Sequence, residues 1–105
     1  MKVVNLRKEK HTVYIGRAGH GLDGVFGNPV KINSTCLVCD RKHKTGGATL
    51  PCYEQYLRTK LQNSTAFRMR FMELQEDDIL GCFCKPNACH GDVMIKVWER
   101  MNEEV

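Results

Sequence analysis

The 105-residue sequence predicts a small single-domain α/β sandwich: a short sheet of three or more strands, about three helices and a zinc-knuckle-like insert over 33–52. Three observations carry that expectation. Val3-Val4-Asn5-Leu6, Thr12-Val13-Tyr14-Ile15 and Ile79-Leu80-Gly81-Cys82-Phe83-Cys84 are β-branched or apolar runs of strand length. Helical periodicity begins at Pro51, before the third run, and resumes after it. The long connection before the first helix carries Cys36, Cys39, His43 and Cys52 but few apolar residues of its own.

Taken in order, the first two runs are separated only by the polar stretch Arg7 to His11 and read as adjacent strands. Glycines at 16, 19, 21, 24 and 27 then mark a loop that lets backbone approach a ligand, without the spacing of a phosphate-binding loop. Pro51 suits a first helical turn, and Tyr53, Leu57 and Leu61 follow at four-residue intervals. Ser64 or Thr65 caps a second helix carrying Phe67, Phe71, Met72 and Leu74. The run from Ile79 to Cys84 lacks alternation, as a central strand covered on both faces would. A last helix from about Asp92 to Glu103 presents Val93, Val97, Trp98 and Met101 to the core, with Asp92 as its N-cap.

Composition excludes several classes. Hydrophobic residues at 42% and charged residues at 27% are those of a globular chain rather than a disordered one, and the length suits one domain, 1–105. No apolar run reaches a membrane span, and Met1 to Arg7 is too short and charged for a signal peptide, so a cytoplasmic protein with no membrane partner is expected. Cytosolic thiols stay reduced, so six cysteines argue for metal or chemistry rather than disulfides. A net charge of +4 permits phosphate binding without demanding it.

The cysteines form two groups. Cys36-x2-Cys39-x3-His43-x8-Cys52 supplies four soft ligands within a short span, and a closed Cys3His shell around zinc would be structural. Cys84 or Cys89 could replace His43 in that shell. The neighbouring Arg41, Lys42 and Lys44 could meet phosphates of a nucleic acid, although a solvated surface explains them equally. In the second group, Cys89 and His90 stand just before a helix whose first amides favour anions and lower a thiol's pKa. Three readings apply to Cys82, Cys84, Cys89 and His90: buried thiols in ordinary packing, a second zinc site, or an anion or substrate site.

The residues Val3-Val4-Asn5-Leu6-Arg7, Val13-Tyr14-Ile15-Gly16-Arg17, Gly27-Asn28-Pro29, Cys52-Tyr53-x2-Tyr56-Leu57 and Leu80-Gly81-Cys82-Phe83-Cys84-x-Pro86-x2-Cys89-His90-Gly91-Asp92-Val93 resemble, in order, the motifs of the family called domain of unknown function 4326. The match spans nearly the whole chain, and its last segment is highly specific. Members of that family occur in bacteria and bacteriophages, and many lack the Cys-x2-Cys insert. The resemblance implies a shared site of Arg17, Asn28, Cys84, Cys89, His90 and Asp92, and a phage setting suggestive of nucleotide or nucleic-acid metabolism.

These readings converge on a zinc protein whose crevice binds a nucleotide-like or other anionic ligand. Arg17 would clamp the anion, Asn28 would meet a base or sugar edge (turn formation before Pro29 explains it equally), Asp92 would complete the binding set, and Cys84 or Cys89 would be the reactive thiol, with His90 its acid–base partner. A non-catalytic nucleic-acid-binding module and a phage factor that seizes a host protein are the competing classes. Neither an enzymatic reaction nor an oligomeric state follows from the sequence.

Overall fold

The apolar run that follows Asp78 becomes the middle of the sheet. The computed structural model describes residues 1–19, 21–83, 85 and 87–103. Strand β1 (Lys2–Asn5), strand β2 (Val13–Tyr14) and strand β3 (Ile79–Cys82) form one sheet in the order β1-β3-β2. Both outer strands run parallel to β3, with Val3 and Val13 flanking Leu80 and with Val4 and Tyr14 flanking Gly81.

This corrects the expectation that the first two runs lie side by side. A central strand must be covered on both faces, and Leu80, Gly81 and Cys82 are all buried, whereas β1 and β2 are only partly so. The chain makes room for β3 by curling after β1. The backbone N–H groups of Lys8 and Glu9 both donate to the Asn5 carbonyl, and Thr12 N–H then donates to Ile79 O at 2.8 Å. The connection thus crosses back over a face of β3, where His11 lies against Gly81, instead of folding back as a hairpin. Strand β3 also stops at Cys82, shorter than the apolar run that announced it.

Three helices complete the fold. Helix α1 (Leu50–Asn63) follows a short 3-10 turn over Gly47–Thr49, carries Pro51 in its first turn, and buries Tyr53, Leu57 and Leu61 along one face. Helix α2 (Thr65–Met72) begins where expected: Ser64 Oγ accepts the Phe67 N–H at 3.2 Å, and Phe67 and Phe71 are buried. Phe26, from the glycine-rich loop, packs edge-to-face against both phenylalanines. Helix α3 (His90–Glu103) starts two residues earlier than its periodicity suggested and buries Met94 and Val97.

Asp92 is therefore not the N-cap of α3 but its third residue. Its carboxylate accepts the Cys89 N–H at 3.3 Å, the backward half of a capping box, and pairs with Lys85 Nζ at 2.9 Å. Gly91 lets this helix start sit directly on the sheet, because a Cβ there would meet Ile15 Cδ1 and Val3 Cγ2 at 2.7 Å. The carboxyl ends of all three strands and the N-terminus of α3 consequently face the same region. In parallel sheets that is where ligands gather.

Candidate metal centre and ligand cavity

The connection between β2 and α1 holds three of the four soft ligands through a small backbone clasp. Ile32 bridges to His43 and Thr35 to Lys42, while Cys36 N–H donates to Arg41 O and Asp40 N–H donates back to Cys36 O. Asp40 turns the chain with a left-handed φ of 61°, a conformation that Asp tolerates better than most residues. Cys52 reaches the same spot from the first turn of α1.

One ligand atom from each of Cys36, Cys39, His43 and Cys52 lies within 4.8 Å of every other. A tetrahedral sulfur–nitrogen shell has edges of about 3.5–3.8 Å, so a small contraction would complete it. Cys39 Sγ and His43 Nε2 are already 3.5 Å apart. Cys36 Sγ accepts the N–H groups of Val38 at 3.3 Å and Cys39 at 3.5 Å, as a ligating thiolate would. Burial opposes its ionisation, yet those amides, with His43 and Cys52, bring the thiol down to about 6. Burial and the two neighbouring cysteines push Cys52 up to about 12. The neighbouring thiols thus oppose ionisation of Cys52, and a bound dication would remove that conflict. The donor set and its geometry fit a metal ion. Arg41, Lys42 and Lys44 lie exposed around the clasp.

The second feature is a cavity of about 480 Å³ at the carboxyl ends of the strands. That volume lies within the roughly 300–1,000 Å³ range of small-molecule sites. Of the residues expected to form a site, Arg17, Asn28 and His90 line it together. Cys82, Tyr14, Phe83 and Thr49 line it as well. Phe83 is 48% exposed and stands edge-on to Tyr14, with ring centroids 6.4 Å apart. The guanidinium of Arg7 lies 5.0 Å from the Phe83 ring centre. Thr49 belongs to no motif, and Tyr14 and Phe83 fall inside the family motifs without being singled out as site residues.

Arg17 follows β2 in a loop rather than ending the strand. Its Nε donates to Asn28 O at 3.1 Å, and its two terminal nitrogens have no hydrogen bond or ion pair among the described residues. Asn28 is occupied differently. Its Oδ1 accepts the Val30 N–H at 2.9 Å, and its Nδ2 donates to Thr49 Oγ1 at 3.1 Å. The amide thus shapes the turn around Pro29 and ties it to the start of α1.

His90 is a buried polar group in this wall. Its Nε2 lies 2.6 Å from Ile15 O, and a carbonyl can only accept, so Nε2 carries the proton and Nδ1 faces Cys89 Sγ at 3.8 Å as an acceptor. Tyr53 covers the ring edge-on at 5.1 Å and donates its hydroxyl to Phe26 O. Burial lowers the His90 pKa, and the charge of Arg17 lowers it further, against the raising influence of Ile15 O and Asp92. His90 is held as neutral imidazole.

The remaining expected residues fall outside the cavity lining. Cys89 is buried behind His90, where its Sγ contacts Cys82 Sγ at 2.9 Å and accepts the Gly91 N–H at 3.5 Å. It does not substitute for His43 in the metal group. Asp92 is exposed and engaged with Lys85. Cys84, expected as a reactive thiol, lies outside the described residues. No helix among the described residues is long and apolar enough to cross a membrane.

No curated protein and no solved structure matches the chain. One family model does match, over residues 2–100, which takes in both the metal group and every residue that lines the cavity. With nearly its full length inside that match, the chain belongs to the DUF4326 family, described as a domain of unknown function.

Proposed function

We propose that this chain is a small ligand-binding protein, stabilised by zinc, whose cavity takes an anionic, nucleotide-type molecule. The observation that carries this reading is the end of Arg17, without a hydrogen bond or ion pair among the described residues, at a mostly apolar cavity of about 480 Å³. A guanidinium fork in such a setting suits phosphate or carboxylate. The exposed face of Phe83 and the nearby Tyr14 supply aromatic surface on which a base can stack. Asn28 and Thr49 position the loop that carries the anion clamp. Zinc is the reading for the Cys3His group because a closed sulfur–nitrogen shell suits it and leaves no open position for substrate. His90 is the base that lines the cavity beside the ligand, with the Cys89 thiol buried behind it.

Calorimetric titration of the zinc-loaded protein with nucleoside 5′-monophosphates, alongside the same nucleosides without phosphate, tests the reading. The phosphorylated compounds bind, and Arg17→Ala weakens them by about tenfold or more, which corresponds to about 1.4 kcal/mol. Equal affinity for Arg17→Ala and the parent, or no binding of any nucleotide, would sink it. Binding of oligonucleotides that falls steeply with salt and depends on Arg41, Lys42 and Lys44 would favour a nucleic-acid-binding module instead.

A further inference from the structure

We propose that Cys82 and Cys89 form a redox-active dithiol at the floor of the cavity, closing to a disulfide when a peroxide enters. This inference shares Cys89 and His90 with the reading above but needs no nucleotide.

The two sulfurs are in direct contact rather than separated in the core. Cys82 ends β3 and Cys89 caps α3, so one loop brings the end of the central strand and the start of the last helix together. Their sulfurs are 2.9 Å apart, about 1 Å beyond a disulfide bond of about 2.05 Å. Both residues are 1% exposed, yet Cys82 lines the cavity. A small oxidant can therefore reach Cys82, while a bulky disulfide cannot reach Cys89. Closure also has its proton acceptor in place. His90 spends its one N–H on Ile15 O, leaving Nδ1 bare towards Cys89 Sγ. The Gly91 N–H at the first turn of α3 favours negative charge on that same sulfur.

The chemistry balances with hydrogen peroxide as oxidant. Cys82 sulfur attacks one peroxide oxygen, the O–O bond breaks, and the departing hydroxide takes the thiol proton to leave as water. The product is a sulfenic acid, with sulfur oxidised by two electrons and peroxide reduced. Cys89 sulfur, losing its proton to His90 Nδ1, then attacks the Cys82 sulfur. The S–S bond forms, the S–O bond breaks, and the hydroxide leaves as a second water with the proton that His90 returns. An external dithiol reverses the closure by exchange.

The test uses the zinc-loaded full chain without added nucleotide. After brief treatment with hydrogen peroxide, thiols are blocked under denaturing conditions and the protein is cleaved after Phe83, which separates Cys82 from Cys84 and Cys89. Tandem mass spectrometry should find the two flanking peptides joined from Cys82 to Cys89, and dithiothreitol should release them; a bond from Cys82 to Cys84 would overturn the proposal. A disulfide internal to the Cys84–Cys89 peptide, or peptides left unjoined and fully blocked, would overturn the proposal. Cys82→Ser should slow disulfide formation in this region by at least tenfold; an unchanged rate would also overturn it. Arg17→Ala should still close the disulfide, so loss of nucleotide binding and loss of the dithiol are separate results.

Discussion

His90 Nε2 lies 2.6 Å from the carbonyl oxygen of Ile15, which ties the first residue of α3 to the residue that follows β2. That one contact sets the tautomer of the imidazole, seats the helix start on the sheet beside Gly91, and aims Nδ1 at Cys89. It also makes His90 a structural residue whose charge state matters for folding.

The first prediction concerns pH. The folded pKa of His90 is lowered, mainly by burial, whereas an unfolded histidine titrates near about 6.5. Below that value the unfolded chain takes up a proton that the folded chain refuses, so stability is full above about pH 6.5 and declines as pH falls, until folded His90 also protonates. Thermal melts of the parent should drop between pH 7 and pH 5. His90→Gln keeps an N–H for Ile15 but cannot be protonated, and should flatten the part of that slope due to residue 90. An unchanged slope would mean that other groups carry it.

Gly27 supports Arg17 through close backbone contact. A Cβ at 27 would stand 2.9 Å from Gly16 O and 3.0 Å from Arg17 Cα, and these are main-chain atoms that cannot rotate away. Gly27→Ala should cost about 1–3 kcal/mol in denaturant melts and displace the guanidinium. Nucleotide affinity should fall with it, even at temperatures where the variant is fully folded. Parent-like stability and affinity together would contradict this account of the loop.

Asn28 is expected to act through the turn it holds. Asn28→Ala removes the acceptor for Val30 N–H and the donor to Thr49, and should cost about 1–3 kcal/mol. Asn28→Asp retains the acceptor and should recover part of that loss. Chemical denaturation of the two variants side by side separates them. Equal destabilisation would show that the Thr49 contact dominates.

At the start of α3, Asp92 accepts the Cys89 N–H and pairs with Lys85. The ion pair is half-exposed and worth little, so the cap should dominate. Asp92→Ala should cost about 1 kcal/mol and Asp92→Asn distinctly less, since the amide oxygen still accepts. Lys85→Ala should change stability by less than either. Thermal melts at low and high salt decide this, because only an ion-pair contribution is screened.

Local patterns were legible and long-range ones were not. The metal group could be read because Cys36, Cys39 and His43 fall within one turn of chain and Cys52 opens the next helix. The Ser64 cap and the Tyr53, Leu57 and Leu61 face follow from spacing alone. Sheet order was misread because the run of residues 79–82, distant in sequence, buries more completely than β2 and claims the place beside β1. Asp92 was assigned the cap position because Asp is a strong N-cap residue, but Cys89 precedes the first helical turn and Asp92 caps backwards from within it. Arg17 and His90 were singled out from separate motifs, yet only the parallel sheet puts their loops at one end. Tyr14, Thr49 and Phe83 join them through packing that no local spacing records.

On this reading the two cysteine groups do different work, one holding a metal and the other flanking a ligand cavity. Native mass spectrometry of anaerobically purified protein, compared with Cys36→Ser, Cys52→Ser, Cys82→Ser and Cys89→Ser, separates the two roles. One zinc per chain is predicted, lost in the first two variants and retained in the last two. Two zincs per chain, or a zinc lost on replacing Cys82 or Cys89, would contradict it.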